Sequence, residues 1–303
     1  MSSTASSDNS INLSWGDVGI SAAFILVNVI VSLAFRLGLE KSLIISSIRC
    51  TGQLAVMGLV LRQVLTSEEV SWIVSLAVLL TILGAWETVY HQCKTRHRGM
   101  FWSVFLAIAG STFLIGMLGC AFVLHFQPVW KAGLFIPTIG MLLGNSISGI
   151  ALGLRTCLKQ VHEHRDHIEQ QLAYGATRWE ASRTVLRESV RMGMLPTVNA
   201  MSVMGIISIP GVMSGQILGG VPIDQAVRYQ ICVMFMVAAS TTLGIVAASI
   251  ACVNTCVDSH HRTRPDRILL TPPLFYALRN AQTIASAVPT ILSLLAKATL
   301  KPN

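Results

Sequence analysis

The chain has 303 residues, 52% of them hydrophobic and 12% charged, with a mean hydropathy of +0.63. That balance lies outside the usual range of soluble domains and marks a membrane protein. The net charge of +8 raises the question of nucleic acid, which the placing of the cations answers.

A helix that crosses the hydrocarbon core needs about 20 mostly apolar residues. Such windows occur at 17–35, 42–61, 70–89, 101–125, 132–153, 193–213 and 228–251. The expected fold is an all-α polytopic membrane protein with about seven transmembrane helices. Residues 1–16 are expected to form an extracytoplasmic tail, 17–257 the membrane domain and 258–303 a cytoplasmic tail. The first segment carries no Lys or Arg and no cleavage pattern, so the first span is expected to remain as an anchor.

Lys and Arg concentrate in alternate connections: Arg36 and Lys41, then Lys94, Arg96 and Arg98, then the stretch from Arg155 to Arg191, then the tail from Arg262. The other set holds only Arg62, Lys131 and Arg228, while Arg49 falls inside a span. Cationic connections stay on the cytoplasmic side, which puts the N-terminus outside and the C-terminus inside. The same bias accounts for the positive charge without nucleic acid. Seven scattered cysteines without a CxxC pair argue against a disulfide framework. Cys252 and Cys256, one turn apart, are read as small packing residues rather than ligands of a soft metal.

The sizeable polar stretch between spans is 155–192. Leu158, Val161, Ile168 and Leu172 recur at helical intervals, Gly175 marks a stop, and Thr177 with Glu180 reads as a capping box. Helix, tight turn and helix are predicted. The cluster His162 to His167 is not HExxH, since Asp166 holds the place of the second His, and it reads as a solvated helix face. The stretch "EQQLAYG" keeps the Glu and the Gly of the EAA signature of ABC transporter permeases, with both alanines replaced by glutamine. Glu169, Tyr174, Gly175, Ala176 and Thr177 are therefore the candidates for docking a cytosolic ATPase.

Four stretches carry a wider resemblance: "GLEKSLIISSIRCTGQLAVMGLVL" (38–61), "GMLLGNSISGIALGL" (140–154), "QLAYGATRWEASR" (171–183) and "IPGVMSGQILGGVPIDQAVRYQI" (209–231). In this order they resemble the FetB/YbbM permease family of bacteria, which also includes aluminium-tolerance permeases of plants. The resemblance implies a membrane permease subunit of an ABC-type exporter, working as a homodimer with a separate ATPase. It implies a metal ion such as iron, or a small solute, as cargo. No GxxxxGK[ST] occurs, so this chain is expected to bind no ATP of its own and to depend on ATP held by the partner subunit. An ATP-independent transporter or a membrane scaffold that moves nothing is the alternative. An enzyme is not expected, because no nucleophile elbow, paired acidic motif or HExxH is present.

Polar groups inside the spans supply the pathway candidates. Arg49 lies about 10 Å into the second span and shares a helix face with Ser46, Gln53 and Met57. An unpaired cation there costs at least ~2.5 kcal/mol, so Arg49 is expected to meet protein, water or a counter-charge, for which Glu87 is the candidate. Asn145 lies beside Gly140, Gly144 and Ser148, a spacing expected to allow close helix approach. Pro210-Gly211 is expected to break the sixth span and leave Met213, Ser214 and Gln216 on a re-entrant segment at the external mouth. The residues 281–300 are expected to form an interfacial helix.

Overall fold

A computed structural model describes residues 14–67, 70–93, 95–97, 99–125, 132–257 and 268–270. The expected interfacial helix at 281–300 lies outside these. The chain divides into two compact units, Met1–Thr66 and Ser67–Asn303.

The first unit holds α1 (Trp15–Ser21), α2 (Ala23–Ala34) and most of α3 (Glu40–Ser67). Ser14 caps α1, and its hydroxyl accepts from the Gly16 N–H at 2.9 Å. Between α2 and α3 the chain turns through Arg36 and Gly38, both at positive φ. Ser32 fastens that turn. Its hydroxyl donates to Glu40 Oε1 at 2.9 Å and accepts from the Leu39 N–H at 3.1 Å. Ser32 is also the buried residue of this unit among those described.

The second unit is a helical bundle with α4 (Val70–Glu87), α5 (Met100–Leu118), α6 (Ala132–Glu163), α7 (Arg165–Ala173), α8 (Arg178–Val203), α9 (Gly211–Leu218) and α10 (Ile223–Cys256). Helices α4 and α5 each run on into a π-helical turn, Thr88–Gln92 and Gly119–Val123. Helix α10 packs on α5, α6 and α8, and α6 also packs on α8. Leu142, Val233, Met236 and Val237 form a fully apolar knot within this seam. Small residues bring the backbones together: a Cβ on Gly149 would meet Thr241 and the Gly193 carbonyl, and one on Gly153 would meet Ile245 and the Ser189 carbonyl. Gly140 and Gly144, expected to make the close approach, have open space around them instead. The packed pair lies on the other side of α6, because the 3.6-residue repeat turns Gly149 and Gly153 toward α8 and α10 while Gly140, Gly144 and Ser148 stay exposed.

Among the described residues six helices are long and apolar enough to cross a membrane: Gly16–Ala34, Glu40–Arg62, Val70–Gln92, Met100–Val123, Gly133–Glu163 and Ile223–Cys256. The segment expected at 193–213 differs. Helix α8 starts in the charged insert and its apolar part, Gly193 to Val203, rises only about 16 Å. The chain then unwinds and resumes as α9, so this segment is helix, break and helix. Helix α6 meanwhile continues past Leu154 to Glu163 without interruption, and the polar insert begins as an extension of a membrane helix.

Trp86, Tyr90, Phe101, Trp102 and Phe105 form a chain of ring contacts where α4 ends and α5 begins, with Trp86 and Tyr90 centroids 4.2 Å apart. The Arg96 guanidinium lies 4.6 Å over the Tyr90 ring. Trp and Tyr rings are enriched at headgroup level, a preference that the Trp86, Tyr90 and Trp102 side chains fit. Beside them β1 (Thr95–His97) pairs antiparallel with β2 (Ile268–Leu270), Arg96 opposite Leu269. The segment that follows α10 is thereby fastened to the α4–α5 connection.

Candidate functional site

The two ends of α8 carry the features that bear on function. At its start, α7 closes with a double backbone bond: Gly175 N–H donates to Leu172 at 3.1 Å and Ala176 N–H to Gln171 at 3.1 Å. This Schellman arrangement requires a left-handed residue, and Gly175 supplies it at φ +91. Thr177 then opens α8. Its N–H donates to Glu180 Oε2 at 2.8 Å, its hydroxyl donates to the same oxygen at 2.8 Å, and the Glu180 N–H returns to the hydroxyl at 3.4 Å. The Thr177 N–H and then its hydroxyl hold the Glu180 carboxyl below the usual carboxylate range. Ile168 and Leu172 anchor α7 from its buried side, while Tyr174 projects outward at 82% exposure. Glu169 pairs with Arg165 at 2.9 Å, and Ala176 is half-buried. The five residues expected to dock a partner thus lie on or beside one rigid turn.

At the other end, α8 stops at Met204, whose backbone is extended, and Gly205 turns the chain at φ +85. Gly205 N–H donates to Ser208 at 2.9 Å, and Ile207 N–H to Val203 at 3.0 Å. Ile206, Ile207 and Ile209 stand exposed at 89%, 80% and 68%. The expected break at Pro210-Gly211 is therefore displaced: the helix has ended by Met204, and Pro210 is the N-cap of α9. Proline has no N–H to donate, which costs nothing at a helix start. Met213, Ser214 and Gln216 all fall on α9 and are half-buried. The Gln216 Oε1 is enclosed and has no hydrogen-bond partner.

The remaining candidates lie on three helices, α3, α4 and α6. Arg49 is half-buried and Gln53 exposed, both on α3. Glu87 ends α4 with His91 Nε2 at 4.0 Å; it belongs to the second unit and Arg49 to the first. Asn145 is exposed, and its Nδ2 donates to the Met141 carbonyl of its own helix at 2.9 Å. Among the described residues no group of three His, Cys, Asp or Glu side chains is placed to hold a metal ion. Cys252 and Cys256 are buried in the α10 seam.

Gln230 was not singled out from the sequence. It is 5% exposed, its Nε2 lies 3.8 Å from Met204 Sδ, and its Oε1 has no partner. The signal was an amide in the apolar run "YQICVMFM", hidden because it stands so near the predicted start of the last span.

Comparison with known proteins agrees with this architecture. Residues 15–257 match the family described as the uncharacterised protein family UPF0014. The chain is 30% identical over 247 residues to the UPF0014 membrane protein YjkA of Bacillus subtilis, covering 82% of this chain and 97% of that one. It is 27% identical over 256 residues to the probable iron export permease protein FetB of Escherichia coli, covering 84% and 96%. It is 28% identical over 228 residues to the protein ALUMINUM SENSITIVE 3 of Arabidopsis thaliana, covering 75% and 82%. No solved structure matches. With this match over nearly all of its membrane domain, the chain belongs to the UPF0014 family of integral, multi-pass membrane proteins.

Proposed function

We propose that this chain is the permease subunit of an ABC-type exporter, energised by a separate cytosolic ATPase and moving a metal ion or small solute as a homodimer. The observation that carries the reading is the turn at Tyr174–Thr177, rigidly built at the start of α8 and presenting an exposed aromatic ring. A docking element has to be stiff to pass on a push, and this one is continuous with a helix that enters the apolar bundle. The likeness to a probable iron export permease supports export and a metal cargo. The ATP belongs to the partner. The tight turn, the cation-rich connections and the C-terminal tail are assigned to the cytoplasmic side, and the N-terminus to the opposite one.

The test is purification from native membranes in mild detergent, with mass spectrometry of retained proteins, for wild type, Gly175→Trp and Tyr174→Glu. Gly175→Trp forces a side chain onto a left-handed backbone, whereas Tyr174→Glu alters only the exposed tip. An ATPase with Walker motifs that is retained by wild type and lost from both variants supports the reading. Its reproducible absence from wild type sinks it in favour of an ATP-independent transporter or a scaffold.

A further inference from the structure

We propose that α8 is the moving helix of the permease: it shifts along a fixed α6–α10 pair, and the shift opens the buried hydroxyls of Ser182, Thr241 and Ser249 to water. The inference rests on the permease reading and says which element of this chain a docked ATPase would drive.

The ties between these helices differ in kind. Helices α6 and α10 are joined by bonds between oxygens, Ser146 with Ser240 at 3.2 Å and Thr138 with the Tyr229 hydroxyl at 3.0 Å. Among the described residues, the side-chain hydrogen bonds that reach α8 and its C-cap from α10 both end on a thioether. Thr242 Oγ1 lies 3.0 Å from Met194 Sδ, and Gln230 Nε2 lies 3.8 Å from Met204 Sδ. Sulfur is a weak acceptor, and the Thr242 hydroxyl already donates to the Ala238 carbonyl of its own helix at 2.7 Å. Toward α6 the contact is glycine against glycine, Gly149 and Gly153 on one side and Gly193 on the other. None of these three positions has a side chain to interlock across the seam, so α8 meets a smooth track.

The seam also holds polar groups that its packing leaves unsatisfied. On α10, Thr241 and Ser249 stand one turn to either side of Ile245, the residue wedged against Gly149, Gly153 and Gly193. Ser182 lies on α8 about three turns before Gly193, on the same helix face. All three side chains are buried, and their hydroxyls have no hydrogen-bond partner among the described residues. Other buried hydroxyls of the bundle fold back on their own helix: Thr81 donates to the Ala77 carbonyl, Thr88 to Gly84 and, in this same seam, Ser189 to Val185. Enclosing an unpartnered hydroxyl forfeits its hydration, so hydration favours a displaced α8 and offsets the apolar contact that the shift gives up. Both ends of α8 suit the motion. It starts at the rigid Tyr174–Thr177 turn, packed on α7, and ends at Met204, where extended backbone and the left-handed Gly205 release the chain from the helix. A push on the turn therefore travels the length of α8 and is absorbed in the break at 204–209, while α6 and α10 stay paired.

The test uses the full-length chain in lipid nanodiscs, with the exposed Cys50 replaced by serine and a small membrane-impermeant methanethiosulfonate cation as the probe. Mass spectrometry of peptides reads which site is labelled. Thr241→Cys and Ser249→Cys should each react roughly tenfold faster than Val237→Cys, which sits in the apolar knot of the same helix. Adding Thr241→Val to Ser249→Cys removes one hydroxyl and keeps the side-chain shape. It should slow the labelling of Ser249→Cys about fivefold, because the closed seam then encloses one unpartnered group fewer. Equal labelling at positions 237, 241 and 249, whether fast or absent, overturns the proposal, and so does a Ser249→Cys rate that Thr241→Val leaves unchanged. The labelling is read on the chain alone and ATPase retention on the purified complex. A static α8 in a chain that retains its ATPase therefore sinks the moving helix and spares the exporter reading, and labelling as expected in a chain that retains no ATPase does the reverse.

Discussion

A Cβ placed on Gly193 would lie 2.9 Å from the carbonyl oxygen of Gly149. The backbones of α6 and α8 therefore touch, and Ile245 of α10 fills the remaining side at the same 2.9 Å. Neither neighbour can retreat cheaply, since one is backbone and the other a fully buried side chain. Gly193→Ala should lower the stability of the purified chain by about 1–3 kcal/mol through overpacking. Gly140→Ala, with open space around its Cβ, should leave it unchanged or raise it slightly through helix propensity. Thermal unfolding in detergent checks the pair, and an equal loss from both would contradict the assigned packing face.

This contrast also shows what the sequence could convey. Hydropathy located the six long apolar helices among the described residues because a lipid-crossing helix must be apolar over its whole length, and Thr177 with Glu180 was legible because a capping box is a local bond between near neighbours. The packing face of α6 was not legible. Gly140/Gly144 and Gly149/Gly153 have similar spacing, and only the neighbours in space distinguish them. The break before α9 was misplaced for a related reason: Pro210-Gly211 is a strong punctuation signal, but Gly205, inside the apolar run "VMGIIS", is the residue that takes the left-handed turn. Gln230 went unnoticed because an unpartnered oxygen is a property of the fold.

Cys93 gives a pH-dependent prediction. It is fully buried just beyond the third span, its thiol faces the Ala151 carbonyl at 3.9 Å, and burial pushes its pKa up to about 11 against the lowering influence of Arg155 and Arg96. A raised folded-state pKa means that its stabilising contribution is complete below the ordinary thiol value and fades as pH rises toward 11. Wild type should lose stability between about pH 9 and 11 more steeply than Cys93→Ala, as measured by unfolding midpoints across that range. Parallel curves for the two would show that Cys93 is not held as a buried thiol.

The Thr177 cap should be visible in hydrogen exchange. Thr177→Ala removes the hydroxyl that the Glu180 N–H meets and should speed exchange in the first turn of α8 roughly fivefold. The Glu180 carboxyl, relieved of that hydroxyl bond, should titrate at higher pH than in wild type. Glu180 is depressed in the folded chain, so its contribution is present above the ordinary carboxylate range and is lost as pH falls through its lowered value. Thr177→Ser keeps the hydroxyl and should restore slow exchange; if it does not, the bond is not what holds the turn.

The pairing of Arg96 with Leu269 ties the segment after α10 to the connection between α4 and α5, which requires both to lie on one side of the membrane. Thr95→Cys and Leu270→Cys should therefore react with a membrane-impermeant maleimide from the same face, in a chain whose exposed Cys50 is replaced by serine. Tyr174→Cys, at the tip of the turn, should react from that face too, and Ser14→Cys from the opposite one. Removing residues 258–303 should further speed hydrogen exchange at 95–97, because the strand loses its ladder partner. Labelling of Thr95→Cys and Leu270→Cys from opposite faces would refute the strand pair, whereas shared labelling of Thr95→Cys and Ser14→Cys would overturn the proposed orientation while leaving the pair intact.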